Sequence, residues 1–251
     1  MREHIDTVPV VEAFNSGDEC PFCYLERMSE QRTIRFVLGP GASYMEPDMR
    51  AQTDHEGFCR EHMKKLYDYG NPLGNALMMQ TYYNHLLEQL DMYVDGFQMP
   101  DKRPLFGHRK VEEEPIVTWA KERQSSCYIC NRLKNSMTRY YMTFFAMIKD
   151  GEFRQKVEEG KGFCMRHFVE LMSNAHEELP NSQREWFYPT VLRTMRENLI
   201  RVKGDIDGFV AQFDYRQAGK KDPAVKDAVS RGMEKLQGLH PADPPYRQDP
   251  R

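Results

Sequence analysis

The chain reads EGFCREH at residues 56–62 and KGFCMRH at residues 161–167. Each stretch holds Gly-Phe-Cys-x-x-His, and each follows a Cys-x-x-Cys: CPFC at 20–23 and CYIC at 127–130. The CxxC blocks lie 107 residues apart and the GFCxxH blocks 105 apart. A third match, DGF at 95–97 and 207–209, keeps the order at an offset of 112. Three anchors in register predict an internal duplication. The halves run over 1–97 and 118–213, joined by a linker at 98–117 that carries three prolines and dense charge. Residues 214–251 are expected to give one more amphipathic helix and a disordered Pro-rich tail.

All six cysteines of the 251-residue chain fall in these blocks. Cysteine used only as a small hydrophobe would be scattered through the core. Cys20, Cys23, Cys59 and His62 supply three sulfurs and one imidazole, and Cys127, Cys130, Cys164 and His167 supply the same set again. Two pairs with x2 spacing are what a tetrahedral zinc site uses. An i, i+3 pair at a helix start puts both side chains on one face, and the helix N-terminus favours thiolate. The expected cofactor is therefore zinc, two ions per chain, with an iron–sulfur cluster as the alternative. The spacers between paired motifs are 35 and 33 residues, so the chain must leave each site and return. Two pairings are open. Either each half closes its own Cys3His set, the arrangement expected of two metal-pinned repeats, or the CxxC of one half joins the CxxH of the other.

Periodicity predicts an all-α fold of two homologous three-helix repeats packed into one helical body. After Cys130, Leu133, Met137, Tyr140, Phe144 and Met147 recur at spacings of three and four. Asp150-Gly151 is expected to stop that helix, as Gly39-Pro40-Gly41 stops its counterpart. CREHMKKLYDYG starts at its cysteine and ends on Gly70, a left-handed cap. Long third helices are read from Tyr83, Leu87, Leu90, Val94 and Phe97, and from Leu192, Met195, Leu199, Val202, Ile206, Phe209 and Phe213, both rows taken as packed faces. No alternating strand pattern appears.

Several function classes are excluded or disfavoured. A formal net charge of −3 leaves no electrostatic footprint for nucleic acid. No apolar run approaches the ~18 residues of a membrane span. The first twenty residues hold no apolar segment of a secretory signal, so the reading is cytoplasmic. There, patterned cysteines point to metal or redox chemistry. CPFC resembles a dithiol motif, but that chemistry sits at a strand-to-helix junction. Haem attachment fails because Tyr24 and Asn131, not histidine, follow the second cysteines. Four protein ligands fill a tetrahedral ion, which marks a structural rather than a hydrolytic site.

The duplicated CxxC…GFCxxH pattern, with FDYR at 213–216 after the last long helix, resembles an uncharacterised bacterial and archaeal helical family over about residues 15–235. Members are sometimes labelled ABC transporter substrate-binding proteins, a label at odds with the absence of a two-lobed α/β pattern. The resemblance implies the Cys/His set and no activity. The chain is thus read as a non-catalytic, metal-stabilised scaffold or interaction module whose partner is another protein or a small ligand. The alternative is an electron carrier, sensor or thiol oxidoreductase that uses the same residues.

Overall fold

A computed structural model describes residues 7–99, 113–213 and 222–238. Most of the linker, the end of FDYR and the Pro-rich tail lie outside these residues. Eleven α-helices follow one another among the described residues, with no strand: α1 (Val8–Asn15), α2 (Pro21–Leu38), α3 (Pro47–Glu56), α4 (Arg60–Tyr69), α5 (Pro72–Asp95), α6 (Pro115–Ser125), α7 (Tyr128–Met147), α8 (Gly151–Glu159), α9 (Met165–Glu178), α10 (Asn181–Ala211) and α11 (Ala228–Gln237). Four of them, α2, α3, α5 and α6, begin on a proline. Its fixed φ and missing N–H cost nothing at that position.

Two compact units form. One takes the chain up to Ser29 and again from Asn135, and the other takes Glu30–Lys134. These units do not coincide with the halves 1–97 and 118–213. The division falls inside α2 and inside α7, so each of these helices begins in one unit and ends in the other.

The first unit has an aromatic core. Phe144 lies within 5.4–6.4 Å (ring centroids) of Phe14, Phe22, Phe145, Phe153, Phe163 and Phe187. Burying one such ring stabilises the fold by roughly 1.5–3 kcal/mol, and edge-to-face pairs add to that. The second unit packs Ile34, Val37 and Leu38 of α2 against Met49, Phe58, Leu66, Tyr69, Met78, Tyr128 and Ile129.

Helix α7 buries Met137, Phe144 and Met147, three of the positions its periodicity picks out. Gly70 caps α4 in the left-handed conformation at φ 85°, as the sequence predicts. Each half carries two helices more than the three predicted, α1 and α3 in the first and α6 and α8 in the second. Helix α7 ends at Met147, just before Asp150-Gly151, and the Asp150 side chain accepts a hydrogen bond from the Phe153 amide and caps α8.

The row on α5 is corrected. Tyr83, Leu87, Val94 and Phe97 are 54–62 % exposed. At 24 residues α5 is about 36 Å long at 1.5 Å per residue. It buries Gly74 and Met78 near its start and outruns the core. On α10 the buried stripe runs through Phe187, Thr190, Val191, Thr194, Met195 and Val202. Leu192 and Phe213 of the predicted row are exposed.

Candidate metal centres

All eight predicted ligands gather into two sets: Cys20, Cys23, Cys164 and His167, and Cys59, His62, Cys127 and Cys130. Within each set the ligand atoms lie within 4.8 Å of one another, so either set could hold a metal ion. Of the two pairings the sequence leaves open, the structure adopts the exchange between halves. Each CxxC meets the CxxH of the other half, which corrects the expectation that each repeat closes a set of its own. The first set lies wholly in the first unit and the second set wholly in the second.

Local structure explains why the motifs have their form. Cys20, Cys59, Cys127 and Cys164 each directly precede a helix, and the ligand three residues on lies in that helix's first turn. Each set is therefore made where two helix N-termini converge, α2 with α9 and α4 with α7. Both positive dipole ends face the sulfurs and favour thiolate there.

The glycine before each Phe-Cys turns the chain. Gly57 and Gly162 have φ of 64° and 71°, positive values that cost a side-chain-bearing residue on the order of 1–3 kcal/mol. A Cβ on Gly57 would also stand 2.7 Å from the Tyr82 hydroxyl. The turn drives Phe58 and Phe163 into the two cores and leaves the cysteine at the head of the next helix. The Tyr128 amide donates to the Gly57 carbonyl at 2.9 Å, tying the start of α7 to that turn.

The separations can be compared with a zinc tetrahedron. Bonds of ~2.3 Å to sulfur and ~2.0 Å to nitrogen put sulfurs ~3.8 Å apart and sulfur ~3.5 Å from nitrogen. Here Cys23 Sγ is 3.6 Å from Cys164 Sγ, and Cys59 Sγ is 3.8 Å from Cys130 Sγ. His167 Nδ1 lies 3.4, 3.4 and 3.2 Å from the sulfurs of Cys20, Cys23 and Cys164. His62 Nδ1 lies 3.2, 3.4 and 3.3 Å from those of Cys59, Cys127 and Cys130. In both sets Nδ1 faces the thiols, and Nε2 is left for an outer partner.

These outer partners are two glutamates of α2. Glu30 Oε1 is 2.9 Å from His62 Nε2 and also takes Lys65 Nζ at 2.6 Å. Glu26 Oε2 is 3.7 Å from His167 Nε2, and Arg166 holds the Glu26 carboxylate. No motif names these glutamates. The available signal is that Cys23, Glu26 and Glu30 lie three and four residues apart on one helix, hence along one face. Of the cations near the motifs in sequence, Arg166 is engaged in this way, Arg132 stacks on Tyr128 with its guanidinium 4.8 Å from the ring centre, and Lys64 pairs with Asp68.

The electrostatics favour a charged ligand group in each set. Burial works to lower the His62 pKa, but Cys127 and Glu30 outweigh it and push it up to about 10. For His167, burial is outweighed by Cys164 and Cys20, and the pKa rises to about 9. Burial would raise the Cys127 thiol, yet hydrogen bonds from His62 and from the amides of Cys130 and Cys59 bring it down to about 6. Hydrogen bonds from Cys20 and Cys23 hold Cys164 far below the ordinary thiol range. Cys130 is exposed as a residue, yet partial desolvation of its thiol and the Cys127 charge push its pKa up. A divalent ion binding to either set displaces the remaining protons.

The two sets differ in cover. All four residues of the first are buried, whereas Cys59 is half-buried and Cys130 exposed in the second. Helix α11 packs on α9 and α10, and its cap Gly238, at φ 78°, lies against the first set. A Cβ there would stand 3.0 Å from Cys164 Sγ and 3.3 Å from Cys23 Sγ. Buried Lys235 anchors α11 by donating to the carbonyls of Glu19 at 2.5 Å and Lys161 at 2.6 Å.

The model of the Family of unknown function (DUF6062) matches residues 1–243. The chain belongs to this family. Membership in DUF6062 spans both Cys/His sets and assigns no activity to either. No curated protein and no solved structure matches the chain. No helix among the described residues is long and apolar enough to cross a membrane.

Proposed function

We propose that the protein binds two zinc ions, one in each Cys3His set, and that both ions are structural. The observation that carries this reading is the set of separations. In each set one Nδ1 stands at a tetrahedral-ion distance from all three sulfurs, one sulfur pair does so too, and the two sets use every cysteine of the chain. Three thiolates and a neutral imidazole around a divalent ion leave a net charge of −1, which the convergent helix N-termini offset. A cluster of two or four irons places separate irons under its ligands and spreads them more widely than the 4.8 Å found here. That spacing favours a single ion over the iron–sulfur alternative. Each set is a filled four-ligand site with no position left for water, which argues against hydrolysis. The dithiol reading loses support because each CxxC is already matched to a CxxH.

In this reading the protein is a non-catalytic scaffold that presents helical surface to another protein or a small ligand. The exposed Tyr83, Leu87 and Val94 on α5 and Phe97 just beyond it support an interaction role. Elemental analysis and an absorption spectrum of anaerobically purified protein test the metal. About two zinc per chain without visible colour supports the reading. Iron with sulfide and a brown spectrum overturns it and makes electron transfer the leading function. Neither metal, with free thiols or disulfides, overturns both and returns the dithiol enzyme.

A further inference from the structure

We propose that the second set is a thiol-oxidation site at which a hydroperoxide links Cys59 to Cys130 and releases the ion, while the first set keeps its own. This rests on the reading that both sets hold zinc. Of the six cysteines only Cys130 is exposed, so it is the sulfur a small oxidant meets first. Its nearest half-exposed neighbour is Cys59, at 3.8 Å between sulfurs. A disulfide needs ~2.05 Å, so the two sulfurs close by under 2 Å between them. Cys127 is the other sulfur within reach, but it is buried and held by the amides of Cys130 and Cys59 as well as by His62. It stays where it is while Cys59 moves.

The chemistry balances with the peroxide as oxidant. The Cys130 thiolate attacks one oxygen, the O–O bond breaks, and Cys130 becomes a sulfenic acid as hydroxide or alkoxide leaves. The Cys59 thiolate then attacks the sulfenic sulfur, forming the S–S bond and expelling hydroxide. Two thiolates have lost two electrons, and with two protons from solvent a hydrogen peroxide has become two waters. The ion has lost two of its four ligands, and Cys127 with His62 cannot hold it alone.

The first set resists because it is covered. Its three sulfurs are buried, and Gly238 sits on two of them at the end of a helix pinned by Lys235. No described residue covers Cys130 in a comparable way.

The test is to titrate the zinc-loaded full-length chain with hydrogen peroxide. Released zinc is read with a chromogenic chelator, and cysteines are mapped by differential alkylation and mass spectrometry. The expected result is one zinc released per chain, a Cys59–Cys130 disulfide, and Cys20, Cys23 and Cys164 still alkylatable as thiols. Thiol reductant with added zinc restores the second ion. A Cys130→His variant keeps a fourth ligand but has no exposed sulfur, and it is expected to retain both ions under the same peroxide. Release of both ions together, release of neither, or a disulfide within the first set overturns the proposal. So does a Cys127–Cys130 disulfide, which removes Cys59 from the chemistry. Should Cys130→His not load two ions, the wild-type titration and mapping decide alone. A chain that carries no zinc before peroxide is added refutes the metal reading itself, which separates the two failures.

Discussion

Replacing Glu30 by alanine is expected to weaken zinc at the second set by 10–100-fold. Glu30 accepts from His62 Nε2 at 2.9 Å and is buried, so it fixes which imidazole nitrogen carries the proton. It thereby leaves Nδ1 free to face Cys59, Cys127 and Cys130. Loss of such an outer carboxylate costs that range in metal affinity, or about 1.4–2.8 kcal/mol at 1.4 kcal/mol per tenfold. Truncation also leaves the His62 N–H buried without this acceptor. The matching change at the first set, Glu26→Ala, is expected to do much less. Glu26 stands 3.7 Å from His167 Nε2, beyond a normal hydrogen bond, and is held by Arg166. Competition against a chelating dye, read as two successive zinc affinities, measures both variants. An affinity for Glu30→Ala within about threefold of wild type at both sites would refute the reasoning. A larger loss for Glu26→Ala than for Glu30→Ala would refute the ranking.

Gly238→Ala should weaken the first set alone, because a left-handed residue with a Cβ costs about 1–2 kcal/mol and this Cβ presses on Cys164 Sγ at 3.0 Å. Loss of one zinc per chain, with the second set's affinity unchanged, is the outcome to look for in the same dye assay. Phe144→Ala should cost about 3–5 kcal/mol in urea unfolding, since the ring is fully buried among six others; a loss under about 1.5 kcal/mol would mean the aromatic core can collapse around the gap. Glu234 is buried, and burial together with the carboxylates of Asp18 and Glu19 raises its pKa from 4.5 to about 7. The folded state therefore binds this proton more tightly, so the contribution is complete below pH ~4.5 and is lost as pH rises through ~7. Glu234→Gln should be more stable than wild type by up to about 3 kcal/mol at pH 8 and equal to it below pH 4.5. Parallel stability-versus-pH curves for the two proteins would contradict that.

The sites were legible where chemistry repeats at short range. Cysteine and histidine three residues apart at helix starts, twice over, name all eight residues that gather. Which pair meets which is a property of the chain path, and no spacing encodes it. Helices α1, α3, α6 and α8 escaped because they are short. Helix α3 buries only Met49 and Thr53, and α8 only Phe153 and Val157. The row on α5 misled for the opposite reason. Its 3–4 spacing is real, but periodicity reports a face and not whether anything lies against it. The place of Glu30 on the helix face of Cys23 was legible, but its partner was not, because His62 is on another helix, 32 residues away.

The exchange of half-sites between the two halves of the chain has a consequence for how the metal is held. Residues 1–97 alone contain Cys20, Cys23, Cys59 and His62, which belong to two different sets. Neither half can close a four-ligand site by itself, so two separate halves would have to associate before either bound its ion at full strength. One continuous chain turns that bimolecular encounter into an internal one, at an effective concentration set by the length of chain between the halves. The segment at 98–117 thus acts on metal affinity without contributing a single ligand. Cutting it should leave the ligands intact and make zinc retention depend on protein concentration.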